Sequence, residues 1–270
     1  MTIRIARKVG ISNITRFATK LGLPASEMKN NLSTALGSAS ISLIDMVSAY
    51  TVFANSGIYN QPYFIESIQN NEGKVIFKKG YNCKNCSSSA VSEKTLPNEL
   101  NYIETDGEQV ISDDLAYIVT DLLQGVVRRG TGWRARSVGI PVSAKTGTTN
   151  DFIDAWYVGY TADLAVGVWS GFDSPKSLGN EETGSGVSGP IWTEFMKNAK
   201  SHLPNSSFKI PENIVFVKVD RKTGQLPTSE TKSTILDVFV NGTQPNASGT
   251  SNESNAVFDS ESDNLLEGIY

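Results

Sequence analysis

Residues 142–172, with the sequence VSAKTGTTNDFIDAWYVGYTADLAVGVWSGF, decide the fold class. They contain three runs of strand length, namely VSAKTGT, DAWYVGYT and LAVGVWSGF. Runs this short, bounded by turn residues and rich in β-branched and aromatic side chains, are typical of strands. Only a short turn at Ala162 and Asp163 separates the last two, and strands connected so tightly pair antiparallel. The segment therefore predicts an antiparallel sheet.

Helical patterns flank this sheet on both sides in the sequence. Ser42 and Asp45 have the spacing of a capping box, Ser112 stands where an N-cap is expected, and Pro190 suits a first helical turn. Segment 63–78 alternates like a hairpin. Apolar residues recur at helical spacing in four segments, which are 3–21 (with a break at Gly10), 42–54, 112–129 and 190–202. The prediction is an α+β fold with an antiparallel sheet flanked by helices.

Composition restricts the function. The net charge of −4 argues against nucleic acid, which requires a basic surface. No apolar run approaches the about 20 residues that span a bilayer, and the first residues do not resemble a signal peptide. His202 is the single histidine, which excludes a histidine-rich metal centre. Cys83 and Cys86 form a lone CxxC, for which a surface loop or a local disulfide is favoured over zinc. No cofactor is predicted.

The segment that carries chemistry is Ala144 to Asn150, AKTGTTN. Strand alternation places Lys145 and Gly147 on one face and Thr146 and Thr148 on the other. An ammonium group beside hydroxyls suits an anion such as a carboxylate, and a free backbone N–H could stabilise an oxyanion. The tripeptide Lys-Thr-Gly alone is common, and by itself an ordinary strand entering a turn explains it better.

The surrounding sequence makes the motif specific. The order VVRRGTG, AKTGTTND, DAWYVGYT resembles the third motif region of class A penicillin-binding proteins, whose motif set is Ser-x-x-Lys, Ser-Asp-Asn and Lys-Thr-Gly. Two further segments resemble this family. Residues 35–59, ALGSASISLIDMVSAYTVFANSGIY, are similar to the family's helix after the second motif. Residues 219–245, VDRKTGQL…VNGTQP, resemble the tail of its type 1a members. The resemblance covers roughly residues 1–245.

The resemblance implies roles for individual residues. Lys145 and Thr146 would tune the active site electrostatically, with Gly147 completing the motif. Thr148 and Thr149 would bind the carboxylate of a D-Ala-D-Ala stem peptide or of a β-lactam. The backbone N–H of Thr148 would form half of the oxyanion hole. Trp156 of the next strand is interpreted as a core residue.

The first two motifs are expected to be missing, because the chain begins with sequence that resembles the region just after the second motif. Four other segments fit the motif patterns but are rejected because of where they lie in the chain. They are Ser26 to Lys29, Ser229 to Lys232, Ser262-Asp263-Asn264 and Lys222-Thr223-Gly224. The last of these lies in a predicted turn between Asp220 and Gly224.

The sequence is therefore interpreted as the C-terminal part of a D,D-transpeptidase domain of serine β-lactamase-like fold, incomplete on its N-terminal side. Residues 1–203 would belong to that domain, 204–244 to a C-terminal extension with short strands, and 245–270 to a disordered acidic tail. The expected partners are stem peptides, β-lactams and a missing N-terminal transpeptidase segment, at the extracytoplasmic face of the bacterial membrane. Two alternatives stay open: a non-catalytic lobe of a truncated or split protein, and a serine β-lactamase-related hydrolase.

Overall fold

The computed structural model describes residues 2–78 and 107–246. Cys83, Cys86 and nearly all of the acidic segment lie outside these residues. The described chain contains five α-helices: α1 (Thr2–Val9), α2 (Ile11–Lys20), α3 (Leu43–Ala54), α4 (Asp113–Arg129) and α5 (Ser188–Ala199). Its strands are β1 (Ile58–Tyr59), β2 (Ser67–Gln69), β3 (Val75–Lys78), β4 (Glu108–Gln109), β5 (Ser143–Thr148), β6 (Ala155–Tyr160), β7 (Ala165–Ser170), β8 (Ile214–Asp220) and β9 (Thr234–Val240).

Strands β5, β6 and β7 form the predicted antiparallel sheet in that order. Each pairs with its neighbour along its whole length, and the register places Ser143 opposite Tyr160 and Ala155 opposite Ser170. The prediction from segment 142–172 is confirmed. Within the described residues β5 is an edge strand of this sheet, so one side of its backbone is not paired with another strand.

Helices cover both faces of the sheet. On one face, α5 inserts the fully buried Trp192 and Met196 against Tyr157 of β6, with the rings of Trp192 and Tyr157 5.2 Å apart. On the other face, α3 lies so close to β7 that a Cβ on Gly167 would be 2.5 Å from Val47. Helices on both faces bury the apolar side chains of successive strand positions, which is the basis of the α+β core.

A buried polar contact fixes α4 beside β5. The hydroxyl of Ser143 donates to the carbonyl of Thr120 at 2.9 Å, and the Thr120 hydroxyl lies 2.9 Å from the Tyr160 hydroxyl. All three side chains are buried, and burial raises the pKa of Tyr160 above its ordinary value. A buried polar group is costly unless it is hydrogen-bonded, so these bonds hold α4 in register with the strand.

The observed helix boundaries confirm most of the predicted ones. Two details are corrected, namely the cap predicted at Ser112 and the helix start predicted at Pro190. Ser42 caps α3 by accepting the N–H of Asp45 at 3.2 Å. Ser112 makes no capping bond to the backbone of α4, and its hydroxyl donates to the carboxylate of Asp114. Helix α5 begins at Ser188, so Pro190 is its third residue, where a missing N–H costs no hydrogen bond. The predicted break at Gly10 separates α1 from α2.

Two hairpins lie outside the central sheet. Strands β2 and β3 pair as predicted for segment 63–78, and β8 pairs with β9 over all seven residues of each. The turn predicted after β8 is confirmed. The carboxylate of Asp220 accepts the N–H groups of Lys222 at 2.8 Å and of Thr223 at 3.0 Å. The second Lys-Thr-Gly of the chain is therefore an exposed turn.

Candidate active site

The motif residues occupy β5 with the alternation that the sequence predicts. Lys145 and Gly147 lie opposite Val158 and Trp156 of β6, whereas Thr146 lies opposite Tyr157. Residues directly opposite each other in an antiparallel pair share a face of the sheet. Lys145 and Gly147 therefore share one face, and the intervening threonine belongs to the other.

Lys145 is a cation without a carboxylate partner among the described residues. Its ammonium group donates to the carbonyl of Thr146 at 2.7 Å. Among all residues that the structure describes, the one ion pair within 4 Å joins Arg128 to Asp121. Partial burial lowers the pKa of Lys145 below its ordinary value, because removal from water disfavours the charged form. Its positive charge is thus not neutralised by a neighbouring side chain.

Two of the predicted hydroxyls contact residues from outside the strand. The hydroxyl of Thr146 lies 2.7 Å from that of Thr131, which follows the end of α4. The hydroxyl of Thr148 accepts the backbone N–H of Gly184 at 3.0 Å. A hydroxyl that accepts one hydrogen bond keeps its own proton for donation. Thr148 can therefore still donate to an anion.

Thr149 belongs to a turn rather than to the strand. Its hydroxyl accepts the N–H of Asp154 at 2.7 Å and donates to the Asp154 carboxylate at 3.3 Å. The other oxygen of that carboxylate accepts the indole N–H of Trp169 at 2.9 Å. Within the turn, Asp151 and Phe152 have φ angles of 58° and 55°, which are uncommon for residues other than glycine. Strained backbone of this kind is typical of functional sites.

The loop before α5 closes against the end of β5. Gly184 is packed so tightly that a Cβ would lie 2.3 Å from the carbonyl oxygen of Trp156 and 2.4 Å from that of Gly147. The hydroxyl of Ser185 donates to the carbonyl of Thr131 at 2.9 Å. The loop therefore contacts the motif strand and the α4–β5 connection together. From the sequence this glycine-rich loop is predicted only as a connection, and Gly184 and Ser185 have no signal that distinguishes them from their neighbours.

Gly184→Ala is expected to lower the free energy of unfolding by about 1–3 kcal/mol, because the added methyl group meets two backbone oxygens that cannot move freely. Urea denaturation measures this effect. Gly186→Ala in the same loop is the matched control, since its Cβ would have no neighbour nearer than 3.5 Å. Equal losses of stability in the two variants would contradict the packing described for Gly184.

Trp156 is not a core residue, contrary to the interpretation from the sequence. Its side chain is half-buried, and its ring lies 6.5 Å from that of Trp169 on the neighbouring strand. A Cβ on Gly147 would be 3.1 Å from the Cβ of Trp156. The glycine of the motif therefore allows the tryptophan to lie close against β5 on the face that carries Lys145.

None of the rejected motifs that can be located forms a catalytic pair. Ser26 lies in the short 3₁₀ helix Ala25–Glu27, which ends before Lys29. Ser229 and Lys232 lie in the exposed connection between β8 and β9. The sequence contains a third Ser-x-x-Lys, Ser206 to Lys209, in an exposed segment without helix. Ser262-Asp263-Asn264 lies outside the described residues.

The described residues contain neither a candidate metal site nor a candidate membrane-spanning helix. In residues 2–78 and 107–246, no group of three or more His, Cys, Asp or Glu side chains could hold a metal ion. The helices of the same residues are too short or too polar to cross a bilayer.

What β5 and its surroundings can do chemically is bind an anion. They combine an unneutralised ammonium group with the Thr148 hydroxyl, whose proton is available for donation, on an edge strand. Charge-assisted hydrogen bonds from such groups hold carboxylates strongly.

Comparison with known families agrees with this arrangement. The profile of the penicillin binding protein transpeptidase domain matches residues 4–197, well over half of the chain. The profile of the penicillin-binding protein 1A C-terminal domain matches residues 210–252. The chain belongs to the penicillin-binding protein transpeptidase family. The motif strand lies within the match to that family, and the β8–β9 hairpin lies within the match to the 1A C-terminal domain.

Individual members of the penicillin-binding protein 1A family show the same relationship. The chain is 35% identical to penicillin-binding protein 1A of Rickettsia felis over 240 residues, covering 88% of this chain and 30% of the relative. It is 30% identical to penicillin-binding protein 1A of Pseudomonas aeruginosa over 272 residues, covering 91% of this chain and 33% of the relative. The chain thus spans about a third of the length of these relatives.

Solved structures of penicillin-binding proteins share the fold. The crystal structure of penicillin-binding protein 1A from Haemophilus influenzae superposes with a TM-score of 0.75 at 31% identity, over 91% of this chain and 38% of that one. The PonA1 protein of Mycobacterium tuberculosis, in complex with penicillin V, gives a TM-score of 0.55 at 26% identity, over 72% of this chain and 51% of that one. The predicted penicillin-binding transpeptidase-like fold is confirmed.

Proposed function

We propose that this chain is the C-terminal part of a peptidoglycan D,D-transpeptidase, which cross-links stem peptides by acyl transfer through an acyl-serine. The observation that carries the proposal is the unneutralised Lys145 on the edge strand β5, which also carries the Thr148 hydroxyl, in a chain of this family. β-Lactams would acylate the same serine. The enzyme would act at the extracytoplasmic face of the bacterial inner membrane.

The hydrogen bonds at the site support a proposed role for each motif residue. Lys145 supplies the positive charge of the site, and Thr148 donates its hydroxyl proton to the carboxylate of the stem peptide or β-lactam. Thr149 adds a second donor by turning only its hydroxyl proton away from the Asp154 carboxylate, 3.3 Å away, while its oxygen still accepts the Asp154 N–H at 2.7 Å. The backbone N–H of Thr148 forms half of the oxyanion hole. Thr146, whose hydroxyl lies against that of Thr131, contributes to the electrostatics of the site.

The nucleophile is proposed to come from a transpeptidase segment outside this chain. The mechanism needs a serine with a lysine one helical turn away, so that the amine can accept the hydroxyl proton. Neither Ser26, Ser206 nor Ser229 has its lysine at that helical spacing. By itself the chain would then be a non-catalytic lobe. The match to the 1A C-terminal domain weighs against the alternative of a β-lactamase.

We also propose the division of the chain given by the sequence. Residues 1–203 form the C-terminal part of the transpeptidase domain, and 204–244 form the extension. The two family matches, to residues 4–197 and 210–252, support a boundary between α5 and β8. The pairing of β8 only with β9 supports it as well, since this hairpin is separate from the central sheet within the described residues.

The test of the proposed function is complementation. The isolated chain is expected to form no covalent adduct with a fluorescent penicillin. Mixing it with the segment of a 1A relative that precedes the aligned region, and carries Ser-x-x-Lys and Ser-x-Asn, is expected to produce a stoichiometric adduct on that segment. Intact mass spectrometry measures both. An adduct on this chain alone, at Ser26, Ser206 or Ser229, would overturn the assignment of the nucleophile, and a mixture without adduct would count against the proposal.

A further inference from the structure

A cleft of about 520 Å³ lies between the 3₁₀ helix Trp133–Val138 and α5. Its lining includes three cationic side chains, Arg134, Arg136 and Lys197, and one carboxylate, Glu194. The motif residues of β5 do not line it. The cleft therefore has an excess of positive charge that the proposed transpeptidase function does not use.

The two arginines are held in place without an acidic partner. The Nε of Arg134 donates to the carbonyl of Ser185, and the Nε of Arg136 donates to the carbonyl of Val127, each at 2.8 Å. The guanidinium of Arg134 also lies 4.8 Å from the ring centre of Trp133. No carboxylate of the described residues lies within 4 Å of either group. A guanidinium fixed in this way loses little entropy when it binds an anion.

Thr193 supplies a second, independent observation. It lines the cleft with only 6% of its surface exposed. Its hydroxyl is the one buried side-chain polar atom in the described chain that has no hydrogen-bond partner. Buried polar groups are normally paired, and an unpaired one destabilises the protein. A ligand oxygen in the cleft would give this hydroxyl a partner.

We propose that the cleft binds an acidic peptide segment through a side-chain carboxylate. The carboxylate would contact the guanidinium groups and Lys197, with the Thr193 hydroxyl as a further donor. An adjacent apolar side chain would lie on Trp133, which is 50% exposed, and on Pro190. Glu194 is bonded to Asn198 of its own helix at 3.4 Å. Its negative charge opposes a phosphate dianion more than a singly charged carboxylate, which favours the peptide.

The test uses the full chain and fluorescence anisotropy at low salt. The probe is a fluorescein-labelled peptide GDFDLEG, and its neutral counterpart is GNFNLQG. We expect the acidic peptide to bind at least about tenfold more tightly than the neutral one. Lys197→Glu should weaken binding about tenfold or more without affecting folding, because Lys197 is exposed on α5. Lys218→Glu, on an exposed position of β8, is the matched control and should leave binding unchanged.

Thr193→Val separates ligand binding from a structural role. The substitution should weaken binding of the acidic peptide roughly fivefold, which is the effect of losing one hydrogen bond. It should also raise Tm by roughly 2–4 °C, because an unpaired buried hydroxyl is removed. Equal binding of the two peptides would overturn the proposal. So would equal affinities of the Lys197 and Lys218 variants, a Thr193 variant that binds as the wild type does, or displacement of the probe by an equal concentration of inorganic phosphate.

Discussion

Lys145→Ala is expected to slow penicillin acylation about 10²–10³-fold in the mixture of this chain with an upstream transpeptidase segment. This is the scale of losing one preorganised electrostatic contact at such a site. The substitution removes the ammonium group that no carboxylate of the described residues neutralises. The chain itself should stay folded, because Lys145 does not belong to the buried core. Acylation rates with a fluorescent penicillin measure the effect.

Lys222→Ala is the matched control for this prediction. Lys222 belongs to the second Lys-Thr-Gly of the chain, which forms an exposed turn organised by the Asp220 carboxylate. That turn depends on the backbone N–H groups and not on the lysine side chain, so the control variant should acylate as the wild type does. If both variants lose activity equally in a mixture that does acylate, Lys145 is not the lysine of the active site.

The central sheet is predictable because its information is local. Each of the three strands has its own apolar pattern, and the two-residue turn at Ala162 and Asp163 leaves β6 and β7 no partner arrangement other than an antiparallel one. Alternation then fixes which motif residues share a face, and the observed register agrees. The assignment of Lys145, Thr146, Gly147, Thr148 and Thr149 to an active site stays a prediction, which the complementation experiment tests.

The surroundings of the motif are not predictable from the sequence because they join distant segments. The contact between Thr131 and Thr146 depends on how α4 packs beside β5, and the contact between Thr148 and Gly184 bridges 36 positions. Alternation also could not show that Trp156 is only half-buried. It identifies the face of a strand, but not how far along the strand α3 covers that face.

Capping shows the same limit on a smaller scale. Ser42 and Ser112 have equivalent positions before their helices, and the sequence predicts both as caps. Only Ser42 accepts a backbone N–H, from Asp45. Ser112 is followed two residues later by Asp114, whose carboxylate binds the serine hydroxyl and also accepts the N–H of Leu115. The Ser42 hydroxyl also donates to a first-turn carboxylate, that of Asp45 at 2.6 Å, so the presence of an acceptor does not decide capping. The two helices differ in where that carboxylate lies, three residues after Ser42 and two residues after Ser112.

Trp192→Ala is expected to lower the free energy of unfolding by about 3–5 kcal/mol, the cost of truncating a large aromatic residue in a core. Trp192 is fully buried and packs against Tyr157, and its indole N–H donates to the carbonyl of Val166 at 2.9 Å. The truncation would leave a cavity between α5 and the sheet and also remove the partner of that carbonyl. Urea denaturation followed by circular dichroism measures the loss.

Ile191→Ala is the control, because the neighbouring Ile191 points away from the core with 54% of its surface exposed. Surface substitutions of this kind usually change stability by less than about 0.5 kcal/mol. Trp192→Phe should fall between the two, since it keeps most of the buried ring but loses the bond to Val166. If Trp192→Ala and Ile191→Ala were equally stable, α5 would not be anchored on β6 through Trp192. The glycine-rich loop before α5, which packs Gly184 against the motif strand β5, would then not be anchored by this helix.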